Sequence, residues 1–341
     1  MSLSAIGLIL AMHAVQATSA PVDKAWERCA ASDPDQAIAG CTELINQGVA
    51  PASDLAVAYN NRGMAYAQQR QFDLAIGDFD KAIDAKPTQA ELYFNRGVAY
   101  EGKGEDDQAI NDFTRAIELK RDDADALVHR AAIYSRKGLF DQAIADATDA
   151  LSLNAGNAAA YVERGSAYYA KGRLHEAIAD ATSAINLKPD LSRAYLVRGA
   201  AFDDTGDFDH AIADDTVAIR LSPNTAKGFV FRAAAYEDKH QHDQAIADAT
   251  RAIGLEPDVA RAYLIRSWAY IGEQSYDLAI ADASQAIKLQ PALAMAYHNR
   301  AVAYERKGLR DQAIADFRAA LRADPGLQLA VQGLTRLGAA P

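Results

Sequence analysis

Few side chains in this sequence stand at spacings that could do chemistry. Cys29 and Cys41 are the only two cysteines. Their thiols can oxidise to a disulfide or remain as two small buried hydrophobes. His175-Glu176 begins a zinc-binding helix pattern, but Ala179 stands where the second histidine is required. His240 and His242 lie beside Asp238 and Asp243, a grouping that makes either a polar surface turn or a weak metal site. A phosphate loop of the G-x-x-x-x-G-K-[ST] type and a CxxC pair are both absent. The expectation is therefore a protein without enzyme activity, cofactor or metal.

Two charged series are far more regular. Arginine recurs at Arg62, Arg96, Arg130, Arg164, Arg198, Arg232, Arg266 and Arg300, and aspartate at Asp78, Asp112, Asp146, Asp180, Asp214, Asp248, Asp282 and Asp316. Each Asp follows its Arg by 16 residues, and both series repeat every 34. A guanidinium facing a carboxylate makes charge-assisted, often bidentate hydrogen bonds. Such a row could serve as a binding surface or fix structural register; closed pairs leave little charge for a ligand, and the structural role is expected.

The elements that must position these charges follow from the same period. Ala-Ile pairs recur from Ala75-Ile76 to Ala313-Ile314 at intervals of 34, defining eight repeats over residues 56–327 without insertion or deletion. Such regularity marks an array of identical structural units. With Ala56 as position 1, position 8 is always small (Gly, Ala or Ser), positions 20 and 27 are always Ala, and position 11 is Tyr in seven repeats and Phe202 in the other. Small side chains let two helix backbones approach closely. Glycine at position 15 in five repeats fits a left-handed C-cap, and Asp at position 18 in seven fits the positive end of a following helix. Proline at position 32 in six repeats closes that second helix. Each repeat is thus expected to be an antiparallel helical hairpin whose apolar face is buried only by stacking on its neighbours. In a hairpin turning near position 15, positions 7 and 23 lie at one height, so each Arg and Asp can meet.

The pattern resembles the tetratricopeptide repeat: Tyr59, Tyr93, Tyr161 and Tyr195 at position 4, a small residue at 8, Tyr at 11, Ala at 20, Phe79, Phe113 and Phe317 at 24, Ala at 27 and Pro at 32. It departs from that family in placing Arg at position 7, where Leu is usual, and in carrying Arg121 and Ala155 at the proline position. The resemblance implies an all-α, right-handed solenoid of antiparallel hairpins. It also implies a concave wall built from first-helix positions 2, 5, 9, 12 and 13. Groove candidates on that wall are Phe94, Val128, Val162, Tyr169, Leu196, Asp203, Val230, Glu237, Leu264 and Trp268, with Trp268 as the best anchor. Packing between neighbouring first helices is the competing role for position 5. Relatives that clamp acidic C-termini use Lys and Asn at positions 5 and 9, and here those residues are absent. The implied function is a non-catalytic scaffold that binds an extended peptide or partner protein with apolar anchors and basic residues; the alternative is an accessory subunit of an enzyme or cell-envelope assembly.

The fifth repeat carries Asp203, Asp204, Asp207, Asp209, Asp214 and Asp215. Asp215 occupies position 24, where an aromatic residue or Ala is expected. Either it reaches solvent or a neighbouring base, or the cluster attracts a cation or a basic ligand.

The ends complete the organisation. Residues 1–20 read as a secretory signal: the apolar run Ala5 to Met12 is followed by small residues ending at Ala20, although no Lys or Arg precedes it. The run is too short to span a bilayer, so no stable membrane insertion is expected once the signal is removed. Residues 21–55 read as a degenerate N-terminal hairpin turning at Ser32-Asp33-Pro34, with Asp33 as N-cap and the two cysteines able to face a shared interface. Export and a disulfide support one another, so the expected location is periplasmic or secreted, with the cytoplasm as alternative. Residues 328–341 would cap the last repeat. A net charge of -11 from 35 basic and 46 acidic side chains argues against nucleic acid as a partner.

Overall fold

A computed structural model describes residues 20–47 and 51–341. The signal-like segment 1–19 lies outside the described residues. The chain divides into two compact units, Met1–Lys171 and Gly172–Pro341. The first holds α1 (Ala20–Cys29), α2 (Pro34–Gln47), α3 (Ala52–Gln68), α4 (Phe72–Ala85), α5 (Ala90–Lys103), α6 (Asp106–Leu119), α7 (Ala124–Arg136), α8 (Phe140–Leu153) and α9 (Ala158–Ala170). The second holds α10 (Leu174–Leu187), α11 (Ser192–Asp204), α12 (Phe208–Leu221), α13 (Ala226–Asp238), α14 (His242–Leu255), α15 (Ala260–Gly272), α16 (Tyr276–Leu289), α17 (Ala294–Arg306), α18 (Arg310–Ala323) and α19 (Gln328–Arg336). The described residues form no strand. Within each unit consecutive helices pack as hairpins, and each hairpin stacks on the next.

The turns explain why the helices break where they do. Gly104, Gly138, Gly172, Gly206 and Gly308 at position 15 all have φ between 71° and 84°. Arg70, His240 and Gln274 hold the same position at φ of 57° to 60° without glycine's freedom. The next N–H then reaches back to the position 11 carbonyl, as Asp207 does to Phe202 at 2.8 Å and Gln241 to Tyr236 at 2.8 Å. This six-to-one bond satisfies a carbonyl that the helix end would otherwise orphan.

The core is built from small side chains. Alanines at positions 20 and 27 are essentially inaccessible, none more than 1% exposed. A β-carbon added at Gly63 or Gly97 would sit 2.8 or 2.9 Å from the ring of Phe79 or Phe113, so glycine makes room for those two rings, whereas in the eighth repeat Ala301 packs in one cluster with Phe317. In the third and sixth repeats Ala131 and Ala233 face the smaller Ala147 and Ala249. Burying each phenylalanine ring contributes about 1.5–3 kcal/mol. At the C-terminal end α19 lays Ala330 and Leu334, both fully buried, over Phe317.

The N-terminal helices pair through a Cys29–Cys41 disulfide. Both cysteines are buried, and Asp33 Oδ1 accepts from the Gln36 N–H at 2.9 Å at the start of α2. The disulfide alternative of the sequence reading is the one adopted.

Candidate functional site

The arginine series sets the geometry of the repeats. Arg62, Arg96 and Arg130 in the first unit donate through Nε and Nη2 to both oxygens of Asp78, Asp112 and Asp146 at 2.6–2.8 Å. Arg198, Arg232, Arg266 and Arg300 do the same to Asp214, Asp248, Asp282 and Asp316 at 2.6–2.9 Å. Arg164 and Asp180 belong to different units. The third guanidinium nitrogen reaches the hairpin before it: Arg130 Nη1 donates to Thr114 at 2.9 Å, Arg198 to Thr182 at 3.2 Å, Arg266 to Thr250 at 2.9 Å and Arg300 to Ser284 at 3.0 Å. Arg96 differs only in the acceptor, which is the carboxylate of Asp80 at 2.6 Å. Tyrosine rings at positions 4 and 11 flank the same group, as Tyr263 and Tyr270 lie 5.7 and 5.9 Å from the guanidinium of Arg266. One side chain therefore closes its own hairpin and ties it to its neighbour. Hydrogen bonds donated to these aspartates hold the arginines charged, raising Arg198, Arg232 and Arg300 above the usual guanidinium range despite burial.

A second tie runs along the turns. Lysine at position 14 pairs with Asp at position 18 of the preceding repeat: Lys103 with Asp73 at 2.8 Å, Lys137 with Asp107 and Lys239 with Asp209 at 2.5 Å, and also Lys171 with Asp141 and Lys307 with Asp277. Sequence reading gave the aspartates at position 18 a role at the helix N-terminus and missed these lysines, although five of them share one repeat position.

The groove candidates divide by burial. In the first unit Phe94 and Val128 are half-buried and Val162 is buried. Phe94 packs its ring on Phe113 and His129, with centroids 5.7 and 5.5 Å apart. Tyr169 is half-buried. In the second unit Leu196 and Val230 are buried, and Val230 belongs to the core between α13, α14 and α15. Leu264 is half-buried on α15. One turn later Trp268 is 39% exposed, the only large apolar side chain exposed on a repeat's first helix among the described residues. Its ring stands 5.9 Å from that of His298. Burial pushes His298 below the usual imidazole range, so Trp268 rests on an uncharged platform.

Acids at position 12 show a further pattern. Glu101 accepts from His129 at 2.8 Å and from Arg136 at 3.0 Å, Glu237 pairs with His242 at 2.9 Å, and Glu305 pairs with Arg336 at 2.7 Å. Asp203 has no such base, and its Oδ1 is buried without a hydrogen-bond partner. Beneath it Asp215 is 1% exposed, with Oδ1 also unpartnered. The expectation that Asp215 reaches solvent or a base is corrected here: the carboxyl fills the slot that phenylalanine takes in other repeats. Its Oδ1 lies 2.9 Å from where a Gly199 β-carbon would stand. Desolvation and the neighbouring Asp203 push Asp215 up to about 8, while desolvation and Asp238 push Asp203 up to about 6. Of the rest of the run, Asp207 pairs with His210, Asp209 with Lys239 and Asp214 with Arg198, and Asp204 is exposed.

Stacked helical hairpins with a ladder of closed ion pairs and one exposed indole define a helical-repeat protein. The chain belongs to the tetratricopeptide repeat family, whose sequence signatures match residues 56–89, 90–123, 129–192, 163–226, 232–294 and 294–327. The fold is similar to a chain in the crystal structure of the APC/C hetero-tetramer Cut9-Hcn1, with 16% identity and a TM-score of 0.67 over 93% of this chain and 66% of that one. It is similar also to a tetratricopeptide repeat protein from Parabacteroides merdae, with 18% identity and a TM-score of 0.56 over 73% of this chain and 98% of that one. At these identities the likeness concerns fold alone. No curated protein matches the chain in sequence. Proteins of this family bind protein partners and are generally non-catalytic scaffolds, and no helix among the described residues is long and apolar enough to cross a membrane.

Proposed function

We propose that this chain is a non-catalytic scaffold that holds an extended peptide along the first-helix face of its repeats, the peptide supplying apolar anchors and basic residues. Trp268 carries the reading. An indole exposed beside half-buried Leu264 and backed by His298 can bury a large area at modest entropy cost, as binding hot spots do. Within the second unit Leu196 and Val230 contribute a packed floor, and the acids Asp203 and Glu237 border it. In the first unit Phe94, Val128 and Val162 take the equivalent first-helix position. The arginine ladder keeps the repeats in register without offering free charge.

The buried Cys29–Cys41 bond supports work outside the cytoplasm, since structural disulfides persist in oxidising compartments. On this reading residues 1–20 direct export, 21–55 form the stapled first hairpin, 56–327 the eight repeats and 328–341 the cap. Crosslinking in the native host, with identification of captured proteins, tests the scaffold. A defined partner set is expected from the wild type, with recovery reduced about tenfold or more for Trp268→Ala. Equal recovery from both would reject the groove assignment.

A further inference from the structure

We propose that the junction between the fifth and sixth repeats is a receptor for one cationic side chain, a lysine ammonium or an arginine guanidinium, held by Asp203 over Asp215 with Asp204 and Asp238 at its rim. This deepens the peptide-binding reading and rests on it for the source of the cation.

The corresponding junction between the second and third repeats is built differently. There the position 12 acid Glu101 meets two bases from the following repeat, His129 at position 6 and Arg136 at position 13, above the ring of Phe113 at position 24. Asp203 takes the place of Glu101 in the fifth repeat, but Phe231 replaces the histidine, Asp238 the arginine and Asp215 the phenylalanine. Both internal cations are gone and another acid has been added beneath. Two carboxyl oxygens, on Asp203 and Asp215, are left buried without a hydrogen-bond partner, and Asp215 is 1% exposed. A buried carboxyl oxygen left without a partner carries a desolvation penalty that an arriving donor removes.

The charged surroundings favour an organic cation. Facing Asp215 are Asp203 on α11, Asp214 on its own helix, Arg232 on α13 and Asp248 on α14. Arg232 is already closed on Asp248 and Asp214 on Arg198. Facing Asp203 are Asp204, Asp238 and Arg261. Arg261 and Lys227 lie over the Phe231 ring at 5.4 and 5.5 Å, and Arg261 forms no ion pair with either acid. No three acidic, histidine or cysteine side chains among the described residues converge on one point as a metal needs. A side-chain cation, which carries several N–H donors on a slim stem, can instead place its head between the carboxyls. Its arrival favours ionised Asp215, so binding releases a proton and strengthens as the solution is made more basic through pH 8.

The test uses the full chain and two probes that reproduce the side chains alone, n-butylammonium and n-propylguanidinium, read by NMR of the aspartate carboxyl resonances. Saturable shifts at Asp203 and Asp215 are expected, stronger at pH 9 than at pH 6 and absent with equimolar sodium or with butanol. Asp203→Asn is expected to weaken binding at least tenfold. Phe231→His with Asp238→Arg, which rebuilds the two internal bases that Glu101 meets, is expected to abolish it while retaining helicity. Shifts equal with sodium, no saturation, or undiminished binding in both variants would overturn the proposal. The probes lack a peptide backbone, so binding that survives in Trp268→Ala separates this site from the groove. Failure of the peptide reading then leaves cation binding intact, and failure of the cation site leaves capture through Trp268 intact.

Discussion

Arg198 grips Asp214 with two parallel hydrogen bonds, Nε to Oδ2 at 2.7 Å and Nη2 to Oδ1 at 2.9 Å, while its third nitrogen reaches Thr182 in the hairpin before. The side chains of the pair are 20% and 9% exposed, so desolvation opposes much of their attraction. Breaking the pair and replacing it should therefore differ in consequence. Arg198→Ala strands Asp214 and is expected to cost about 3 kcal/mol, whereas Arg198→Leu with Asp214→Leu is expected to cost far less. Thermal denaturation of the two variants decides this; equal melting temperatures would refute it.

Asp215 should be replaceable by the residue that its position accepts elsewhere. Gly199 already leaves the room that Gly63 leaves for Phe79. Asp215→Phe is expected to raise stability by about 2 kcal/mol, by burying a ring and removing an unpartnered carboxyl. Chemical denaturation at pH 7 measures the change, and a less stable variant would show that the slot is shaped for the acid.

The same carboxyl gives a pH dependence with a definite sign. Native Asp215 holds its proton up to about 8, against 3.8 ordinarily, so between these values the folded chain binds more protons than the unfolded one. Its contribution to stability then falls as pH rises through this window. The melting temperature of the wild type should fall more steeply from pH 5 to pH 8 than that of Asp215→Asn; parallel profiles would rule this out.

Three turns carry avoidable backbone strain. Arg70, His240 and Gln274 hold the left-handed conformation that glycine holds in the other five repeats. His240→Gly and Gln274→Gly are each expected to stabilise by about 1 kcal/mol, since an L-residue there costs roughly 1–2 kcal/mol. Additive rises in melting temperature in the double variant would bear this out, and a fall in either single variant would contradict it.

The N-terminal staple should act locally. Cys29→Ala with Cys41→Ala is expected to loosen α1 and α2 by about 3 kcal/mol, the size expected for a short closed loop. Limited proteolysis would then cut near residues 30–33 first, with the repeats beyond untouched. Simultaneous loss of all the helices would show instead that the hairpin nucleates the array.

Much of this architecture was legible because one period dictates it. The 34-residue beat located the hairpins, and the shared height of positions 7 and 23 brought Arg198 toward Asp214 on the page. The contacts between neighbouring hairpins were not legible in the same way. Thr182 and Lys239 stand in visible columns, but their partners depend on the offset of one hairpin against the next, which spacing within a repeat does not supply. Position 5 shows the same limit: Val230 is buried and Leu264 half-buried, according to what each neighbour presents. Asp215 opposed every local preference, and only packing shows the carboxyl lodged under Gly199 and Asp203.

The ties made by Arg198 and its counterparts reach back to the adjacent hairpin alone. A gene encoding such a chain can gain or lose a whole 34-residue block by unequal recombination, and every surviving guanidinium still meets an acceptor in the block before it. Reach can thus be altered in whole-block steps without redesigning any joint. A shift of even one residue within a block would misalign the joints on both sides.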